Sequence, residues 1–168
     1  GDDVSGVTLV TAKPATMKGA IVFDTGVVRR LSGDVSVVAR SARADGQSTF
    51  AEPAGNAFTI TAPTGPFRLF VEPPDGWMVK ALVIGDGDMT DAVLDLKGQQ
   101  DVPVRVVLTD RVSEVTGSIV ASDRAAAPAV IVFPYDSSRW EPPSRYVQTA
   151  AVAADGNYRT ARLPPGRR

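Results

Sequence analysis

The stretch Val102 to Thr109, with the sequence VPVRVVLT, decides the fold class of this chain. Apolar residues recur in it at alternate positions over a short run, which is the pattern of a β-strand. Similar runs, rich in valine and threonine, follow one another along the chain, and no long apolar pattern with helical spacing separates them. We therefore predict an all-β protein with almost no helix, whose strands are Val4–Thr11, Met17–Phe23, Val35–Ala39, Ala57–Ala62, Phe67–Glu72, Met78–Ile84, Val102–Thr109, Val115–Val120, Ala129–Phe133, Tyr146–Val152 and Tyr158–Ala161.

Turn sequences lie between the predicted strands. Asp24-Thr25-Gly26, Pro74-Asp75-Gly76, Gly85-Asp86-Gly87 and Asp155-Gly156 supply residues that readily adopt the positive φ of tight turns. Many short strands at this spacing are typical of a β-sandwich or a β-barrel.

The chain contains an internal repeat. A shift of 98 residues lays Asp3–Val22 over Asp101–Val120 and aligns six identical residues: Asp3, Val4, Thr11, Gly19, Ile21 and Val22 with Asp101, Val102, Thr109, Gly117, Ile119 and Val120. Further along, Gly55-Asn56 recurs as Gly156-Asn157, and Pro63-Thr64-Gly65 recurs as Pro164-Pro165-Gly166. The alternative is a chance similarity between valine-rich strands, but four landmarks in the same order favour a duplication.

The repeat predicts three parts of unequal completeness. Residues 1–11 form a closing strand of an upstream module, or a donor strand. Residues 12–110 form a complete β-sandwich, and a very short linker near Thr109–Ser113 leads to a second sandwich in residues 111–168. That second sandwich is expected to lack its C-terminal strands, because nothing in it corresponds to Phe67–Glu72, Met78–Ile84 and Val102–Thr109.

Composition excludes several functions. Hydrophobic residues make up 43% of the chain and charged residues 22%, with a net charge of −1, so nucleic acid is not an expected partner. No segment approaches the roughly 18 apolar residues that span a bilayer. The chain has no cysteine and no histidine, so it lacks the usual general base, thiol nucleophile and transition-metal ligands. We expect no cofactor, no metal and no enzymatic activity.

A set of segments in the second half carries a family resemblance. Val115–Val120, Ala129–Phe133, Asp155-Gly156-Asn157-Tyr158 and Leu163-Pro164-Pro165-Gly166 together resemble the carboxypeptidase regulatory-like domain. The resemblance implies a transthyretin-like, seven-stranded Greek-key sandwich of the immunoglobulin-like class, here in tandem with the second copy incomplete. It also implies a non-catalytic accessory or spacer role in large exported bacterial proteins. The first copy departs from the pattern, with Ala62-Pro63-Thr64-Gly65 in place of Leu-Pro-Pro-Gly.

Two loops hold candidate binding residues. Trp140, Arg145 and Tyr146 lie in the loop WEPPSRY, where aromatic rings with charged neighbours could hold a sugar or a proline-rich peptide. The alternative is that Trp140 folds back onto the sheet and anchors a stiff connection. The second loop, Gly85–Asp91, carries three carboxylates that could bind calcium, but it lacks the spacing of a standard calcium loop, and a solvated turn explains it better.

These observations predict a structural spacer or interaction module that lies outside the cell, on its surface or in the periplasm. Its partners are expected to be proteins, either neighbouring modules or identical subunits, with carbohydrate as an alternative. A second hypothesis is an extracellular assembly closed by strand donation, in which Val4, Val7 and Leu9 of one chain enter the open sheet of another.

Overall fold

The computed structural model describes residue 6 and residues 11–25, 35–43, 46–120, 128–140 and 144–164. In these residues every regular element is a strand, apart from one turn of 3₁₀ helix at Ser137–Arg139. The prediction of an all-β fold is therefore confirmed. The predicted strand Val4–Thr11 lies outside the described residues except at its Gly6 and Thr11, and so do the candidate donor residues Val4, Val7 and Leu9.

Eight strands form the first unit: β1 (Thr16–Phe23), β2 (Ser36–Ser41), β3 (Ser48–Ala51), β4 (Ala57–Thr61), β5 (Phe67–Glu72), β6 (Met78–Ile84), β7 (Gly87–Asp88) and β8 (Val102–Thr109). They make two sheets, one in the order β4-β1-β8-β6-β7 and the other in the order β3-β2-β5. The apolar faces of both sheets contribute to one buried cluster, as in a β-sandwich.

Strand β8 lies at the centre of the larger sheet. It pairs parallel with β1 along one edge and antiparallel with β6 along the other. Its residues Val102, Val104, Val106 and Leu108 are buried, and the last two are fully inaccessible to solvent. Because side chains alternate between the faces of a strand, the four residues form a continuous apolar row facing the core.

Four strands form the second unit: β9 (Ser113–Ser118), β10 (Ala129–Val132), β11 (Gln148–Ala151) and β12 (Asn157–Leu163). They make two antiparallel pairs, β9 with β12 and β10 with β11. Residues 110–112 separate β8 from β9. Among the described residues of this unit only Ala150 and Thr160 are buried, and none belongs to the core cluster of the first unit.

The structure departs from the predicted elements at several places. Strands β3 and β7 were not predicted, and the predicted strand Tyr146–Val152 is confined to Gln148–Ala151. In the turn before β7 only Gly85 has a positive φ, 59°, whereas Gly87 belongs to the strand. In the part of the chain that the structure describes, no helix has the length and apolarity needed to cross a membrane.

Candidate functional site

A cleft of about 380 Å³ opens between the two sheets of the first unit. Strand β5 forms one wall and β6 the other, with Leu69, Val71, Met78 and Leu82 among the apolar side chains that line it. Such a volume is at the lower end of the range found for small-ligand sites. The polar groups around it are those of Arg40, Glu72, Thr90, Asp91, Ser144 and Arg145.

Arg145 reaches this cleft from the second unit. Its Nη1 donates a hydrogen bond of 2.6 Å to the backbone oxygen of Val79 on β6, and its Nε donates one of 2.9 Å to Asp91 Oδ2. The third bond, of 3.0 Å, runs from Nη2 to the hydroxyl of Tyr146. The Arg145 side chain is 23% exposed and the Asp91 side chain 44%. One candidate residue therefore joins the two units directly.

Tyr146 lies between two guanidinium groups. The Cζ of Arg139 is 4.8 Å from the centre of its ring and that of Arg145 is 5.0 Å away. Cations at these distances interact favourably with the ring's π-electrons. Tyr146 therefore packs beside Arg145 as a support, and its ring is half-buried.

Trp140 contacts the two residues that directly follow strand β10. Its Nε1 donates a hydrogen bond of 2.7 Å to the backbone oxygen of Pro134, and its ring meets that of Phe133 edge to face at 5.3 Å. Trp140 is 46% exposed and Phe133 is 56% exposed. The sugar-binding hypothesis requires Trp140 and Tyr146 to be exposed together. Tyr146 is half-buried against guanidinium groups, so of the two rings only that of Trp140 is exposed. Sugar binding stays a prediction.

The acidic loop before Asp91 is held by its own hydrogen bonds. Asp88 Oδ1 accepts hydrogen bonds from the backbone and the hydroxyl of Thr90, and the backbone nitrogen of Leu82 donates to the Thr90 hydroxyl. Burial raises the pKa of Asp88, but the bonds from Thr90 outweigh it and hold the pKa below its ordinary value. No group of three or more potential metal ligands occurs among the residues that the structure describes.

An ion pair with a buried carboxylate and a half-exposed ammonium group lies near the point where the chain leaves the first unit. Asp24, which follows β1, has a side chain only 7% exposed and accepts a 3.2 Å bond from Lys80 Nζ. Burial opposes its ionisation, yet the Thr109 hydroxyl, Lys80 and the charge of Arg111 together lower its pKa. Thr109 ends β8 and Arg111 follows it, so this carboxylate lies beside the start of the connection to the second unit.

Sequence reasoning selected Arg145 but not its partners. Asp91 and Val79 are 54 and 66 residues away along the chain, and no local pattern connects them. Asp91 lies in a turn after β7 and has a positive φ of 65°, which is uncommon for a residue other than glycine. Comparisons of the chain with protein-family models, curated proteins and solved structures give no match.

Proposed function

We propose that this chain is a non-catalytic structural segment of an exported bacterial multidomain protein, in which two β-sandwich units are held as a stiff pair. The observation that carries the proposal is the set of bonds that Arg145 of the second unit makes to Val79 and Asp91 of the first. The loop that contains Arg145 thus uses this charged side chain to contact the first unit. A spacer needs a contact of this kind, because three linker residues alone would leave the units free to reorient.

The strength of this contact follows from its geometry. A hydrogen bond from a charged donor to a part-buried carbonyl contributes about 1.5–3 kcal/mol, and the partly exposed ion pair with Asp91 adds up to about 1 kcal/mol. The guanidinium group reaches both acceptors at once because its donors form a rigid planar fork. A total of roughly 2–4 kcal/mol keeps the contact closed most of the time.

The tandem arrangement is supported by strand pairing. Strand β1 pairs with β4 and β2 pairs with β3; in the second unit β9 pairs with β12 and β10 with β11. The predicted repeat aligns β1 with β9, and its landmarks Gly55-Asn56 and Gly156-Asn157 lie at the starts of β4 and β12. The two units thus share the pairing of their first four strands.

A shared glycine–aromatic pair supports the duplication further. Gly19 lies opposite Phe58 in the first unit, and Gly117 lies opposite Tyr158 in the second. In both, a side chain on the glycine would overlap the aromatic ring. An aromatic ring that covers a cross-strand glycine shields a weak point of a sheet, so this pair is a structural device common to both copies.

A non-catalytic role agrees with the use of the charged groups. The chain lacks histidine and cysteine, and the carboxylates of Asp24, Asp91 and Glu114 are engaged by Lys80, Arg145 and Arg159. A carboxylate held by a cation in this way is a poor general base, because its proton affinity is reduced. Location outside the cytoplasm rests on the resemblance to modules of exported proteins.

The proposal is tested with an Arg145→Ala variant of the full chain. ¹⁵N NMR relaxation gives the rotational correlation time of each unit separately. We expect one common value in the parent chain and two shorter, unequal values in the variant, because the bonds to Val79 and Asp91 are lost. Arg145→Lys should give an intermediate result, since lysine keeps the charge without the fork.

Arg139→Ala is the matched control. Arg139 lies in the same loop and contacts Asp136 and Tyr146, both in the second unit. It should leave the common correlation time unchanged. If Arg145→Ala tumbles like Arg139→Ala, the two units are not held by this contact and the proposal is wrong.

A further inference from the structure

Strand β5 borders the cleft of the first unit with its outer edge. It is the outermost strand of its sheet, with β2 on the inner side. The peptide group of Phe67 faces away from β2, because it exchanges hydrogen bonds of 2.9 and 2.7 Å with Leu94. Peptide groups alternate along a strand, so those of Leu69 and Val71 point the same way. Both residues line the cleft, and their N–H groups are therefore directed into it.

A pair of arginines makes one end of the cleft positive. Arg40 on β2 lies directly opposite Arg68 on β5, and both project from the face of the sheet that also carries Phe70. The Cζ of Arg40 is 5.7 Å from the centre of the Phe70 ring, and Arg40 lines the cleft. Like charges directly opposite each other destabilise a sheet. An anion bound beside Arg40 reduces this repulsion.

The acidic groups of the cleft do not neutralise this end. Asp91 is bonded to Arg145 at 2.9 Å, and Glu72 lies at the far end of β5 from Arg68. Within the part of the chain that the structure describes, Arg40 is exposed and forms no ion pair. Its planar guanidinium group can donate two parallel hydrogen bonds to a carboxylate. Charge complementarity therefore favours an anionic ligand at this end.

The remainder of the cleft is mostly apolar. Val38, Phe70, Trp77, Met78 and Leu82 all line it. Its volume of about 380 Å³ suits a single ring or a short hydrocarbon chain. Burial of such a group is favourable roughly in proportion to the apolar area removed from water. The cleft thus combines an apolar interior with cationic and N–H donors, which is the complement of an amphipathic acid.

We infer that the cleft binds a small organic acid, a carboxylate with a short apolar tail. The carboxylate accepts hydrogen bonds from Arg40 and from the outward N–H groups of β5. The tail lies against Phe70 and the apolar side chains of β6. This binding site goes beyond the spacer role, and it does not use the bonds that Arg145 makes to the first unit.

The probe is sodium octanoate, titrated into the ¹⁵N-labelled full chain and followed by NMR. We expect saturable shifts of the amide signals of Leu69 and Val71, because their hydrogens become bonded to the carboxylate. Hexanoate should bind about tenfold more weakly, since two buried CH₂ groups are lost. Octan-1-ol keeps the tail without the charge, and it should bind more weakly than octanoate by about tenfold or more.

Arg40→Met removes the charge and keeps a flexible apolar side chain. It should weaken octanoate binding by about tenfold or more, and Arg40→Lys should give an intermediate result, since lysine keeps the charge without the fork. The matched control is Arg105→Met. Arg105 is exposed on β8 in the other sheet, so this variant makes the same change in net charge away from the cleft and should bind octanoate like the parent chain.

The inference is overturned if the signals of Leu69 and Val71 do not respond, if octan-1-ol binds as tightly as octanoate, or if Arg40→Met binds like Arg105→Met. It is also overturned if octanoate shifts the signals of Phe133 and Trp140 instead, because the acid then binds an apolar surface of the second unit without the guanidinium group. None of these outcomes changes the relaxation result expected for Arg145→Ala.

Discussion

Ile21 and Ile119 offer a direct measure of how differently the two units bury residues that the predicted repeat aligns. Ile21 is 1% exposed, whereas Ile119 is half-buried. Replacing either with alanine removes three carbon atoms, worth about 2.4 kcal/mol when fully buried. At Ile21 a closed cavity adds to this cost, which gives about 3–4 kcal/mol. At Ile119 the site is partly open, so only part of the transfer term is lost, about 1–2 kcal/mol.

The two costs can be measured separately because each unit contains one tryptophan. Trp77 packs against Phe23 at 4.6 Å in the first unit, and Trp140 packs against Phe133 in the second. Ile21→Ala is measured in a Trp140→Phe background, which leaves Trp77 as the reporter, and Ile119→Ala in a Trp77→Phe background. Equilibrium unfolding in urea, extrapolated linearly to water, gives the free energy of unfolding in each case.

The reasoning fails if Ile119→Ala costs as much as Ile21→Ala. Equal costs would mean that Ile119 is as well enclosed as Ile21.

Two further predictions concern the first unit. Gly19→Ala places a methyl group inside the ring of Phe58, so we expect a loss of about 1–3 kcal/mol in the free energy of unfolding, and a Phe58→Leu change in the same chain should recover part of it. Asp24 has a lowered pKa, despite burial, because of Thr109 and Lys80. Its stabilising contribution is therefore complete above its unfolded pKa of about 3.9 and disappears as the pH falls through the lower folded value. Asp24→Asn should lower stability at neutral pH and flatten the fall in stability below about pH 4, as measured by urea unfolding at several pH values; an unchanged pH profile would contradict this assignment.

The strands that could be predicted are those with apolar alternation. Val102–Thr109 and Met78–Ile84 match β8 and β6 in both bounds, because each presents one face to the core and the other to solvent or a loop. Strand β3, Ser48–Ala51, was missed since three of its residues are small or polar and its one large side chain, Phe50, is 70% exposed. Such a strand forms through its pairing with β2, which no local pattern records.

The candidate site could be predicted only in part. The loop from Trp140 to Tyr146 stands out by composition, and Arg145 does lie beside the cleft of the first unit. Its role depends on Asp91 and on the backbone of Val79, and a backbone carbonyl has no sequence signature at all. Contacts between units are set by how the units face each other, which alternation and turn residues do not encode.

The contrast between the units separates strand pairing from core formation. The β9–β12 and β10–β11 pairs form in the same pattern as β1–β4 and β2–β3, although the described residues of the second unit include no counterparts of β5, β6 and β8. Met17 is fully enclosed where those strands are present, whereas Val115 is 38% exposed. Contacts between neighbouring strands therefore suffice for pairing, and a dry core additionally needs the strands that complete both packed sheets.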